Sequence, residues 1–229
     1  MKIKCTALKF LSFILVLSFA VSLSGCNKEN NFTVDEDQKN KENFLMETPS
    51  GIGLYECFSY TGPFVEDGSD EPVSNVAAIK VKNTSETYYQ TLRLSVSSGD
   101  KNYNFFITSF FPGDVITALE TDRQPFERGD GVTDFAERES SRFAETPSDH
   151  LDEFIPQVYD GVMNFQNVSG KNFEKDVYVY YKNVNEAGYL GGITYRVNLG
   201  PMKKGEIKQG SSSHLSGTFS KIVFVTYGE

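Results

Sequence analysis

The chain has 229 residues, with 22 lysines and arginines against 31 aspartates and glutamates, a formal net charge of −9 and no tryptophan. An acidic chain without clustered cations lacks the footprint that nucleic acid requires, and lacks the polybasic patch that holds anionic lipid. Two histidines exclude a three-histidine zinc site.

Lys2, Lys4 and Lys9 lead into an apolar run from Phe10 to Val21, followed by small residues. That order is the signature of a secretory signal peptide. The run is too short and too interrupted by serines for a membrane span of about 20 residues. Leu23-Ser24-Gly25-Cys26 resembles the lipobox of bacterial lipoproteins. The resemblance implies a diacylglyceryl group on the Cys26 thiol and cleavage just before that residue. Two acyl chains, at about 0.8 kcal/mol per buried CH₂, anchor a protein stably. The expected location is the extracellular face of the cell membrane, with contact to the membrane through lipid alone. Removal of residues 1–25 leaves 204 residues and a net charge of −12, from 19 basic and 31 acidic residues. Cys5 departs with the signal and Cys26 is acylated, so Cys57 is the only remaining thiol. An intrachain disulfide and a thiolate metal cage are thereby excluded.

Residues 26–48 are rich in Asn, Lys, Glu and Asp and read as a flexible tether. A β pattern begins at Gly51. Ala77, Ile79 and Val81 alternate with Ala78, Lys80 and Lys82, and Leu92, Leu94 and Val96 with Arg93, Ser95 and Ser97. Asn83-Thr84-Ser85, Gly99-Asp100 and Pro112-Gly113 read as turns. Tyr103 to Phe111 and Val115 to Leu119 complete a first set of strands. Residues 121–159 are charged and carry Pro125, Pro147 and Pro156. Asp134 and Glu137 there suggest a capping pair for a short helix bearing Phe135 and Phe143. The first pattern then returns: Val162 to Asn167, Asn167-Val168-Ser169, Val177 to Tyr181, Ile193 to Leu199, Lys204-Gly205, and a last apolar strand Ile222 to Val225. The shared order of strand, Asn-x-Ser turn, long strand, aromatic strand and Gly turn points to a duplicated module.

Short alternating strands with almost no helical pattern predict an all-β chain of two small Ig-like β-sandwich modules. The first would span residues 49–157 with its connector and the second 158–229. The alternative is one sandwich built from the two repeats. Val81 to Ser85 with Leu92 to Val96, and Phe165 to Ser169 with Val177 to Tyr181, resemble the immunoglobulin-like FxLYD and CARDB modules of bacterial exported proteins. The Asp that this pattern places after the aromatic pair is Lys182 here. The chain also resembles surface lipoproteins of Gram-positive bacteria that carry no assigned activity. The resemblance implies an interaction module without catalytic residues.

Tyr178 and Tyr180 share one face of a strand, opposite Val177 and Val179. On an exposed face they would form a patch for a sugar ring or another protein; inside a sheet they would pair across strands. The acidic loop Glu66, Asp67, Asp70 and Glu71 lacks the ordered spacing of a calcium loop. Asp149, Asp152 and Glu153 offer carboxylates, and Cys57 with His150 a remote thiol–imidazole pair. No phosphate-cradling loop and no Gly-x-Ser-x-Gly elbow occurs. The expectation is a non-catalytic surface lipoprotein without cofactor or metal, with a binding or structural role in the cell envelope and an envelope protein or glycan as its partner. A small-ligand or glycan-binding lipoprotein is the alternative, and an envelope hydrolase comes last.

Overall fold

A computed structural model describes residues 42–64, 71–127, 131–185 and 188–228. The strands in chain order are β1 (Met46–Glu47), β2 (Ile52–Pro63), β3 (Pro72–Asn83), β4 (Tyr89–Ser98), β5 (Lys101–Phe110), β6 (Val115–Leu119) and β7 (Val132–Arg142), then β8 (Phe154–Tyr159), β9 (Val162–Asn167), β10 (Phe173–Asn185), β11 (Gly188–Leu190), β12 (Tyr195–Met202), β13 (Ile207–Ser211) and β14 (Ser220–Tyr227). A single 3-10 turn, Leu151–Glu153, precedes β8.

The fold is all-β, and its two halves carry the same strand pairing. In the first, β2-β3-β6 form one sheet and β5-β4-β7 the other. In the second, β8-β9-β13 and β12-β10-β14 repeat that division. Each half therefore makes a hairpin, crosses to the facing sheet for another, returns for one strand and crosses again. The alternation of side chains supplies the two inner faces. Ile79, Val81, Leu94, Phe105 and Ile116 fill one core, and Met163, Phe165, Val177, Val179 and Val197 a separate one.

The Asn-x-Ser turns hold the two halves in the same way. Asn83 and Asn167 are fully buried. The Asn83 Nδ2 donates to the carbonyls of Thr87 (2.8 Å) and Phe110 (3.2 Å), and its Oδ1 accepts from the Ser85 amide (3.0 Å) and hydroxyl (2.7 Å). The Asn167 Nδ2 donates to the carbonyls of Lys171 (2.8 Å) and Lys203 (3.0 Å), and its Oδ1 accepts from the Ser169 amide (3.0 Å) and hydroxyl (2.7 Å). Each asparagine also receives the glycine amide of the following turn, Gly113 or Gly205, at its own carbonyl. Both glycines have positive φ, 81° and 74°, where a side chain would strain the backbone. The amides of Asn83 and Asn167 are thus saturated structural groups.

Three features differ from the sequence expectation. Residues 134–143 form no helix: Asp134 to Arg142 lie in β7, paired along β4. Only Phe135 of that strand is buried, so the polar outer face imitates a helical capping pattern. The boundary expected at residues 157 and 158 falls inside β8, which pairs with β9 from Phe154 onward. The tether expected to reach Thr48 is already part of the fold from Glu42. Glu42 pairs with Lys82, Phe44 packs 4.8 Å from Tyr55, and β1 adds to the edge of β2. Gly53 lies under the Phe44 ring, leaving no room for a Cβ.

The halves meet through β11. It pairs antiparallel with the end of β10 and parallel with β6, joining the two halves in one eight-stranded sheet. Lys182, at the position where the module pattern has an Asp, is fully buried at this junction. Its Nζ donates to the carbonyls of Thr108 and Gly192, both at 2.6 Å.

Candidate interaction surface

The signal and lipobox residues, Leu23, Ser24, Gly25 and Cys26 among them, lie outside the described residues, as do Glu66, Asp67 and Asp70 of the acidic loop. Tyr178 and Tyr180 do share the outer face of β10, and both are half-buried. The Arg196 guanidinium sits 4.6 Å from the centre of the Tyr178 ring. Tyr180 stacks on Phe224 of β14, centroids 4.2 Å apart and planes at 12°. They are paired across strands, the arrangement that stabilises a sheet by about 0.2–1 kcal/mol per pair. Phe224 continues into Phe111 (5.6 Å) and Phe143 (6.0 Å) from the first half. Tyr180, Phe224 and Phe143, with Thr91, Thr108, Thr194 and Thr226, line an open cleft of about 600 Å³ between the modules.

A larger groove, about 920 Å³, opens in the first module beside Leu45, Met46, Cys57, Phe58, Phe126 and Val132. Its polar members Ser59 and Asn75 bond each other at 2.8 Å. Burial pushes the Cys57 thiol up to about 11, so it stays protonated and unreactive at neutral pH. Cys57 packs against the first core. His150 stands in the second half, its ring tilted at 50° against Tyr227 (4.7 Å) and its Nδ1 3.4 Å from Glu153. The fold does not bring this thiol and this imidazole together. Glu153 is bonded instead to Lys171 at 2.8 Å. Among the described residues no group of three or more His, Cys, Asp or Glu is placed to hold a metal.

The surface that sequence reasoning missed is the outer face of the β8-β9-β13 sheet. Register fixes its three rows: Ile155, Gln166 and Ile207; Gln157, Asn164 and Gln209; Tyr159, Val162 and Ser211. All nine are uncharged. Ile155 is 50% exposed, Tyr159 51% and Ile207 64%. The amide side chains touch one another: Gln209 Nε2 donates to Asn164 Oδ1 at 3.3 Å. The corresponding face of the first module is partly covered: Ala78, Leu119 and Leu190 are buried with Phe64, and Phe219 packs against them, while its other rows carry the half-buried Lys80 and Lys82. An uncharged face bearing aromatic and aliphatic side chains is the composition found at the centre of protein interfaces. The alternation was legible in Ile155 to Tyr159 and in Ile207 to Ser211. That no described residue covers it was not.

No protein-family model, curated protein or solved structure matches this chain.

Proposed function

We propose that the chain is a non-catalytic lipoprotein, anchored through Cys26 to the extracellular face of the cell membrane, that engages a protein of the envelope on the open sheet of its second module. The observation that carries this reading is the uncharged β8-β9-β13 face, on a chain with 31 acidic residues. Acidic surfaces keep a displayed protein solvated; a neutral face among them is where a neighbour approaches without desolvating charge. The exported half of the reading rests on the Leu23-Ser24-Gly25-Cys26 sequence after its apolar run. Among the described residues no helix is long and apolar enough to cross a membrane.

Photo-crosslinking in living cells tests it. A photoreactive residue at Ile155 is expected to give a discrete adduct, and the same probe at Glu139, on the exposed face of β7, none. Cys26→Ser is expected to leave unprocessed precursor without incorporated palmitate. Equal adducts from both positions, or normal palmitate labelling of Cys26→Ser, would overturn the reading.

A second reading, a glycan or small ligand in the inter-module cleft, draws on the Tyr180–Phe224 stack flanked by threonine hydroxyls. It expects envelope oligosaccharides to perturb tyrosine fluorescence in the parent protein and not in Tyr180→Leu.

A further inference from the structure

The twin modules differ in what lies on the outer edge of their fifth strand. In the first, β6 takes up β11 in parallel, with Tyr189 beside Ile116 and Leu190 beside Thr117. The Gly191 amide donates to the Thr117 carbonyl at 2.7 Å. β11 thus occupies the place of the fourth strand beside the first, second and fifth of an immunoglobulin constant-type sheet. In the second module, among the described residues, β13 pairs with β9 alone.

The shared turn fixes the correspondence. Asp114 and Glu206 give their carbonyls to the amides of Asn83 and Asn167, which aligns Thr117 with Gln209. From there the antiparallel ladder alternates, so Ile207, Gln209 and Ser211 turn their backbone groups away from β9. All three residues are exposed. Among the described residues β11 is the strand that fills such a place, and it lies on β6. β11 lies between β10 and β12, whereas the corresponding strands β4 and β5 are joined by the tight turn Gly99-Asp100.

The two edges of the second sheet are unequal. β8, on one side, carries Pro156, which lacks the N–H a docking strand needs. β13 contains no proline; its one charged residue, Lys208, lies by alternation on the face opposite Ile207, Gln209 and Ser211, which are uncharged. An edge without proline and without charge on its outer face accepts an extended chain by strand addition.

We infer that the outer edge of β13 is a docking site for an extended segment of another protein, added in parallel. The chemistry of that segment is given by the strand the twin edge already holds: glycine, an aromatic and an aliphatic residue in succession, uncharged, as in Gly188-Tyr189-Leu190. This deepens the reading of the β8-β9-β13 surface and rests on it. The face alone, roughly 14 Å by 20 Å from strand spacing and rise, is small beside a standard interface. A fourth strand adds main-chain hydrogen bonds and widens the face at once.

The test uses the mature full-length protein and a synthetic peptide of residues 188–194, blocked at both ends, with amide exchange followed residue by residue. Saturating peptide is expected to slow exchange of the Gln209 amide about tenfold or more. Gln209→Pro removes that outward N–H at an edge position where proline is tolerated, and is expected to abolish peptide protection of the flanking outward amides of Ile207 and Ser211. A peptide with sarcosine in place of Gly191 alters the ligand alone and is expected to protect nothing. Unchanged exchange at millimolar peptide, equal protection by the sarcosine peptide, or protection confined to the first module would overturn the inference. Ile155 crosslinks without peptide protection would sink strand docking and spare the surface reading; protection without crosslinks would do the reverse.

Discussion

Asn83 and Asn167 carry the repeat at the scale of single side chains. Each amide makes four hydrogen bonds inside a buried turn. Truncation to alanine orphans carbonyls and an amide, each at about 1–3 kcal/mol. Asn83→Ala and Asn167→Ala are each expected to lower stability by about 3 kcal/mol in urea unfolding. A near-zero cost at either site would mean that the turn is held by other contacts. The Asn-x-Ser motif was legible because a side chain that bonds its own turn leaves a fixed local spacing. Cys57, read as a small buried apolar group, is half-buried, packed on the first core at the side of the groove. Its thiol rises from the ordinary 9.0 to about 11 through burial. A folded-state value above the unfolded one contributes stability fully present below pH 9 and lost as pH rises through about 11. Slow alkylation at pH 8, becoming rapid only on unfolding, is the expected outcome. A native protein alkylated as fast as free cysteine would contradict the burial.

At the scale of elements, the strands with two apolar partners were easy to read and those held by tertiary pairing were not. β4 and β10 alternate cleanly because one face of each is packed in a core. β7 buries only Phe135, and Asp134 with Glu137 competes as a capping signal. Its pairing with β4 decides its conformation, and pairing is invisible along a single segment. β11 is three residues followed by two glycines, and its parallel pairing with β6 joins residues more than seventy positions apart. The junction it makes is closed by Lys182, whose ammonium bonds two carbonyls of that seam. The same ammonium opposes the upward push of burial on the Asp114 carboxyl. Lys182→Met keeps the stem and deletes the charge. It is expected to cost about 2–3 kcal/mol, the range for hydrogen bonds to a charged group, measured by thermal or urea unfolding. An unchanged or raised midpoint would show that an apolar stem alone satisfies the seam, as it does in some buried ion sites.

At the scale of the whole molecule, an acidic chain presents a neutral sheet. The charge balance was legible from composition. The openness of β8-β9-β13 is a tertiary property: Phe64 and Phe219 pack on part of the corresponding face of the first module, and no local pattern records which face is covered. Hydroxyl-radical footprinting compares the purified mature protein with the anchored protein on intact cells. Tyr159, 51% exposed, reports the open sheet, and Leu45, 59% exposed, reports the first module. The expected result is a several-fold drop in Tyr159 oxidation on cells with Leu45 unchanged. Equal oxidation of Tyr159 in both states would contradict a partner on this surface.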